Sequence, residues 1–257
     1  MNNRSLLIVL LILYALLVGY TETIITLGQM PSQRITPFNT FIGFSFALLH
    51  ASQRMGWKRA WILLACVFVV SLTFESVGVA TGWIYGPYHY TAKLGPLFLG
   101  LVPLLIPIAW FMMMYPSFVI ADWLIPASSR GRQVLAVAAV GGLVMTAWDV
   151  VMDPTMVASG HWIWEVNGVF FGIPLQNFWG WWLTTFVSFL VFLWWAGRSL
   201  PLAAEGKFDR LTVILYALTG LIGSTLGAWL GGMGGPALAG FFAIIPWVVI
   251  GWLKMSG

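Results

Sequence analysis

Charge is what this sequence almost lacks. Twelve lysines and arginines and eight aspartates and glutamates are spread over 257 residues; together they make up 8% of the chain, against 60% hydrophobic. A water-soluble domain draws roughly a quarter of its residues from the charged set. A chain this poor in charge has to use lipid as its solvent, and its backbone must satisfy its own hydrogen bonds there. The expectation is one all-α, polytopic membrane domain over residues 1–257, because no polar stretch is long enough to fold alone. The net charge of +4 is small and the basic residues fall in short loops, which argues for orientation in a bilayer rather than nucleic-acid binding. Cys66 is the single cysteine and lies in an apolar run, so no disulfide framework exists.

A spanning helix needs roughly 20 mostly apolar residues. The pattern predicts about eight, near Ser5–Leu27, Phe38–Ala51, Trp57–Ala80, Pro96–Leu124, Gln133–Met152, Pro174–Gly197, Leu211–Leu230 and Ala237–Leu253. The first follows Arg4 and lacks a small-residue cleavage site, so it is read as an uncleaved span. The second is short for a crossing. The fourth is long and carries Pro103, Pro107 and Pro116, so it is expected to kink. With eight spans, one side collects Arg4, Arg54, Lys58, Arg59, Arg130, Arg132, Arg198, Lys207, Arg210 and Lys254, and the other only Arg34 and Lys93. The positive-inside rule makes the first side, with both termini, cytoplasmic.

The acids divide likewise. Asp122, Glu205 and Asp209 flank the basic loops and read as solvated charges, with His50 an interfacial residue at a helix end. Glu22, Glu75, Asp149, Asp153 and Glu165 fall toward the non-cytoplasmic side, together with Tyr88, His89, His161, Asn167 and Asn177. Carboxyls near hydrocarbon are costly unless protonated or hydrogen-bonded. Asp149 and Asp153 are four residues apart, on one helix face, where the two are not expected to ionise together. The plainer reading is that they satisfy backbone groups at a helix end beside Pro154. For Glu75 it is a buried hydrogen bond between the third and fourth spans, and for Glu22 an interfacial position.

Two segments resemble each other. Glu75 precedes Gly82 by seven residues, as Asp153 precedes Gly160, and Pro103-Leu104 precedes Trp110 by the interval that separates Pro174-Leu175 from Trp181. Residues 70–120 and 148–197 therefore read as a two-helix repeat in parallel orientation, a kind of fold that often holds its site between the copies. Many of the sixteen tryptophans belong to an interfacial belt. Trp83, Trp148, Trp162, Trp164, Trp179, Trp181 and Trp182, however, surround the acids, and indole faces stabilise cations without offering a nucleophile.

Several chemistries are disfavoured. Three dispersed histidines, His50, His89 and His161, do not make a di-iron centre, and a zinc site from His89, His161 and an acid lacks the spacing. The Asp149/Asp153 pair is similar to prenyltransferase motifs, yet no lysine or arginine follows it to hold a diphosphate. Gly231 to Gly235 lies between two spans with no strand before it, so it reads as a helical hairpin rather than a phosphate loop.

The motifs Glu75-Ser76-Val77-Gly78-Val79-Ala80-Thr81-Gly82, Tyr85-Gly86-Pro87-Tyr88-His89-Tyr90, Ala147-Trp148-Asp149-Val150-Val151-Met152-Asp153-Pro154, Trp162-Ile163-Trp164 and Phe171-Gly172-Ile173-Pro174-Leu175-Gln176-Asn177-Phe178-Trp179-Gly180-Trp181 resemble the membrane carotenoid-biosynthesis family. The resemblance covers roughly residues 70–200. Characterised members of that family are carotenoid 1,2-hydratases, which add water to the terminal double bond of acyclic ψ-ends in lycopene, γ-carotene or the C50 bacterioruberin precursor. It implies a carotenoid substrate, reached sideways from membrane lipid, and no cofactor or metal.

The reaction that this implies needs an acid strong enough to protonate carbon, a shielded cation and an ordered water. The residue reading assigns the acid to Asp149 or Asp153. Glu75, with His89, orients the water and accepts its proton. Tyr85, Tyr88, Trp148 and Trp164 line the cation pocket, Asn177 anchors it, and His161 and Trp181 complete the substrate-binding set. A cofactor-independent carotenoid cyclase, or a non-catalytic carotenoid- or isoprenoid-binding protein, are the alternatives. A transporter is disfavoured because acids confined to one face give no path across the midplane.

Overall fold

The computed structural model describes residues 3–29, 32, 34–126, 129–196 and 206–256; Gly197, Arg198 and Glu205 lie outside them. The described residues hold eight long helices: α1 (Asn3–Thr26), α2 (Ile35–Met55), α3 (Trp57–Thr81), α4 (Leu105–Leu124), α5 (Arg130–Ala158), α6 (Leu175–Ala196), α7 (Gly206–Leu230) and α8 (Gly234–Lys254). All but α2 are long and apolar enough to cross a membrane. The chain is a polytopic all-α integral membrane protein. Helix α2 owes its lower apolarity to His50, Ser52 and Arg54, which are buried inside the bundle rather than turned to lipid. Its 21 residues reach about 31 Å at 1.5 Å per residue, the thickness of a hydrocarbon core.

Short strands fill the connections at one end of the bundle. β1 (Tyr88–Tyr90), β2 (Leu97–Phe98) and β3 (Val102–Pro103) lie between α3 and α4, and β4 (Trp162–Trp164) lies between α5 and α6. β1 pairs antiparallel with β4, placing Tyr88 opposite Trp164 and Tyr90 opposite Trp162. The fourth helix therefore does not start at Pro96. Residues 97–103 form the β2–β3 hairpin, closed over Leu99 and Gly100 at positive φ, and Pro103 belongs to a strand. Pro107 falls in the first turn of α4, where a missing N–H removes no helical bond; Pro116 is the proline inside that helix. A second tight turn, over Phe171 and Gly172, likewise has both residues at positive φ. The two glycines that follow the acids at equal spacing do equal work: Gly82 (φ 70°) and Gly160 (φ 68°) take the left-handed conformation that ends α3 and α5.

Small residues bring the helix backbones close, as lipid-embedded packing requires. Gly141 on α5 lies under Phe189 of α6, where a Cβ would stand 2.5 Å from the ring, and Gly142 lies under Trp182. Gly240 of α8 fits against Val151 of α5 in the same way. Within α7, residues 218–226 run as a π-helix, and Trp148 on α5 donates its indole N–H to Ser224 there at 2.9 Å. Wide turns of this kind concentrate at functional sites. Gly231 and Gly232 form the turn into α8, as the glycine run predicts.

The opposite, arginine-rich end corrects three expectations. Asp122 and Asp209 are not solvated: the Arg54 guanidinium bonds Asp122 at 2.6 Å and Asp209 at 3.0 Å, and Trp123 donates to Asp209 at 2.7 Å. His50 is not interfacial but fully buried, with Nδ1 2.7 Å from the Tyr115 hydroxyl and Nε2 3.0 Å from the Phe208 carbonyl. These groups tie α2, α4 and α7 together, a pairing across 65 to 158 residues of sequence that no local pattern displays.

Two outcomes are expected. Arg54→Ala strands two buried carboxylates and should cost about 3–5 kcal/mol, read as a lower unfolding midpoint in detergent; an unchanged midpoint would mean that the network is solvated. Gly141→Leu drives a side chain into Phe189 and should lower folded yield by fluorescence-detected gel filtration, while Gly131→Leu, with open space at its Cβ, should not.

Candidate active site

Three buried carboxyls meet where α3 and α5 approach the β1–β4 ribbon. Glu75 lies near the end of α3, and Asp149 and Asp153 near the end of α5, each at most 3% exposed. Helix α5 runs past Pro154 to Ala158, and the three carboxyls accept from side chains, so they do not serve as backbone caps.

The donors follow from the two-residue period of a strand. Tyr88 and Tyr90 turn the same way and both donate to Glu75 Oε2, Tyr90 at 2.8 Å, while His89 between them turns out. Trp110 of α4 completes the set, its Nε1 donating to Glu75 Oε1 at 3.0 Å, so the bond read from sequence between the third and fourth spans exists. On the facing strand Trp162 and Trp164 repeat the pattern, donating to Asp153 Oδ1 at 2.7 and 3.3 Å. Asn177 of α6 spends both amide hydrogens on the acid pair, 2.7 Å to Asp149 Oδ2 and 2.8 Å to Asp153 Oδ2. Asp149 Oδ1 is buried with no partner among the described residues.

Aromatic rings enclose the acids. Trp110 and Trp181 stack at 4.2 Å, Trp148 stands edge-on to Trp181 at 5.9 Å, and Trp164 leans on Tyr88 at 5.0 Å. Tyr85 is wedged between α3 and α6, its ring filling the space that Gly78 and Gly180 leave, and it exchanges a hydrogen bond with Thr184 at 2.7 Å. Burial first, and then the Glu75 carboxylate, push the Tyr88 and Tyr90 hydroxyls well above the ordinary phenol range, so both stay protonated donors. Among the described residues, no ion pair involves Glu75, Asp149 or Asp153. The arrangement offers carboxyl protons, fixed N–H and O–H donors and indole faces, a set suited to making and holding a carbocation.

Glu75, Asp149, Asp153, Tyr85, Tyr88, Trp148, Trp164, Asn177 and Trp181 thus come together. His89 and His161 do not join them. The His89 side chain is 51% exposed and lies 3.4 Å from Glu165. His161 bonds Ser159 at 2.9 Å, and burial followed by the nearby Lys93 ammonium lowers it, so it is neutral at pH 7. The two histidines and an acid form no ligand group among the described residues. Glu22 is not interfacial: it is 6% exposed, packs against Gly227 of α7, and neither of its oxygens has a partner among the described residues. Tyr90, Trp110 and Trp162 escaped the residue reading as ligands of the acids. The Tyr-x-Tyr and Trp-x-Trp spacings were the available signal, but they acquire meaning only once both segments are strands.

Residues 36–246 match the family described as carotenoid biosynthesis protein. A bisanhydrobacterioruberin hydratase of Haloarcula japonica is 34% identical over 135 residues, which are 52% of this chain and 45% of that protein. The chain thus matches a little under half the length of that relative. No solved structure matches. With most of its length matched, the chain belongs to the carotenoid biosynthesis protein family.

Proposed function

We propose that the protein is a carotenoid hydratase, adding water across the terminal C1=C2 bond of an acyclic ψ-end. The observation that carries this reading is the Asp149–Asn177–Asp153 bridge: two buried carboxyls share one amide, with no ion pair to either among the described residues. Membership of the family and the hydratase that the chain resembles support the substrate class.

Such a pair is built to share a proton, because two full negative charges side by side in low dielectric are costly. Its proton goes to C2 of the alkene, leaving a tertiary cation at C1 over the Trp110, Trp148 and Trp181 rings. A water then bonds to C1. Glu75, kept an acceptor by three donors, orients that water and takes up its released proton. The sum is alkene plus water giving a tertiary alcohol. Tyr85, Tyr88 and Trp164 wall the site, while His89 and His161 make their contacts elsewhere, with Glu165 and Ser159. The strand pairing and the Trp110–Trp181 stack favour residues 70–120 and 148–197 as two copies of one unit. The basic residues of the opposite end favour an acid cluster on the non-cytoplasmic side.

Expressed in cells that accumulate lycopene, γ-carotene or a C50 precursor, the protein is expected to yield a pigment heavier by one water, and its membranes, given preformed carotenoid in heavy water, to place one deuterium at C2. A pigment of unchanged mass and altered retention would establish a cyclase instead, and unaltered pigment in every host would remove both. Replacing both members of the pair, Asp149→Asn with Asp153→Asn, should lower conversion by ~10²–10⁴-fold, the usual worth of proton transfer. For orientation, His89→Cys in a Cys66→Ser background should react with an impermeant maleimide on intact cells; reaction only after lysis would reverse the topology.

A further inference from the structure

Glu75 and Asp153 are held in similar ways. Glu75 accepts from both aromatic side chains of β1, and Asp153 from both of β4. Each takes a third donor from the following long helix, Trp110 of α4 for Glu75 and Asn177 of α6 for Asp153. Both are therefore pinned as acceptors, with donors on each oxygen.

Asp149 has no counterpart. Four residues before Asp153 stands a carboxyl, whereas four residues before Glu75 stands Ser71, also buried, whose hydroxyl turns to the Phe68 carbonyl at 3.4 Å. Asp149 is fully buried and, among the described residues, receives a single donor, Asn177, on Oδ2, and none on Oδ1. A carboxylate stripped of water and left with one bare oxygen is poorly solvated, while a carboxylic acid needs only to point its O–H at an acceptor. One turn beyond Asn177, on the same face of α6, Trp181 stacks on Trp110 and meets the edge of Trp148. Indole surface thus lines the helix face that holds this acid.

We propose that Asp149 is the catalytic proton donor, delivering from Oδ1 to the substrate double bond, and that Asp153 is a pinned carboxylate that orients it through Asn177. The proposal rests on the hydratase reading and sharpens it. The Asp149 O–H bond breaks as the C2–H bond forms, the electron pair of the alkene making that bond and leaving the cation at C1. The proton later lost by the attacking water passes to a pinned carboxylate and returns to Asp149, so the enzyme is restored.

The test compares purified wild type, Asp149→Asn, Asp149→Glu and Asp153→Asn on a carotenoid that the wild type hydrates, following turnover, carotenoid binding by its visible spectrum, and the solvent isotope effect. Asp149→Asn should still bind carotenoid yet lose turnover by ~10²–10⁴-fold, with Asp149→Glu recovering part of it. Asp153→Asn should keep residual turnover and the isotope effect. Because a variant can fail to fold, the unaltered protein is also treated with dicyclohexylcarbodiimide, which attacks protonated carboxyls in apolar surroundings. Mass spectrometry should find the adduct at Asp149 and its loss when carotenoid is bound. Adduct at Glu75 or Asp153 alone, or Asp149→Asn turning over at the wild-type rate, overturns the assignment while leaving the hydratase standing. A wild type that hydrates nothing sinks the hydratase reading itself, and the assignment falls with it.

Discussion

A carboxyl group inside a bilayer must find donors within the protein, because the solvent around it supplies none. Most of what is unusual in this fold follows from that requirement. Seven aromatic or amide donors converge on the two carboxyl clusters: Tyr88, Tyr90 and Trp110 on Glu75, Trp162, Trp164 and Asn177 on the α5 acids, and Trp123 beside Arg54 on Asp209. Among the described residues, the arginine-rich end answers its buried acids with a cation, Arg54. At the other end neutral N–H and O–H groups do the work, and a site so built stays open to proton transfer where an ion pair would close it.

The ribbon of β1 and β4 is the device that delivers these donors. Helical loops would scatter the side chains of residues 88–90 and 162–164 around a circle, whereas a strand sends every second one the same way. Pairing the strands antiparallel puts both donor pairs on one side, above the ends of α3 and α5, and leaves His89 and Ile163 on the other. The backbone groups of the ribbon are satisfied by the pairing itself, so a short sheet is tolerated at the end of a helical membrane bundle. Gly82 and Gly160 end the two helices about two turns beyond Glu75 and Asp153, which sets where the strands begin.

Much of this was legible in the chain. The apolar runs marked the spans, with most ends within a few residues, and the equal acid-to-glycine spacings pointed to the two helix ends that carry Glu75 and Asp153. What stayed hidden was of two kinds. The first was pairing across long separations: Arg54 with Asp209 and His50 with Phe208 join residues whose local settings look like ordinary loop flanks. The second was a change of period. Residues 97–103 look like the head of a long apolar helix because hydrophobicity alone does not separate a buried helix from a buried hairpin, and the π-helical stretch 218–226 leaves no mark on composition. His89 and His161 drew attention as titratable groups, yet strand alternation and a hydrogen bond to Ser159 turn them from the acids.

The stacked pair at the centre of the site also has an optical consequence. Two indoles 4.2 Å apart with planes 29° from parallel have coupled electronic transitions, so their near-ultraviolet circular dichroism is a split couplet rather than the sum of two isolated chromophores. The sign and splitting of that couplet depend on the angle between the rings. Trp179 and Trp182 stack as well, at 4.8 Å, so the share of the central pair is the difference that Trp110→Phe makes. The protein therefore carries a built-in gauge of how those rings pack around the acids, readable without any label.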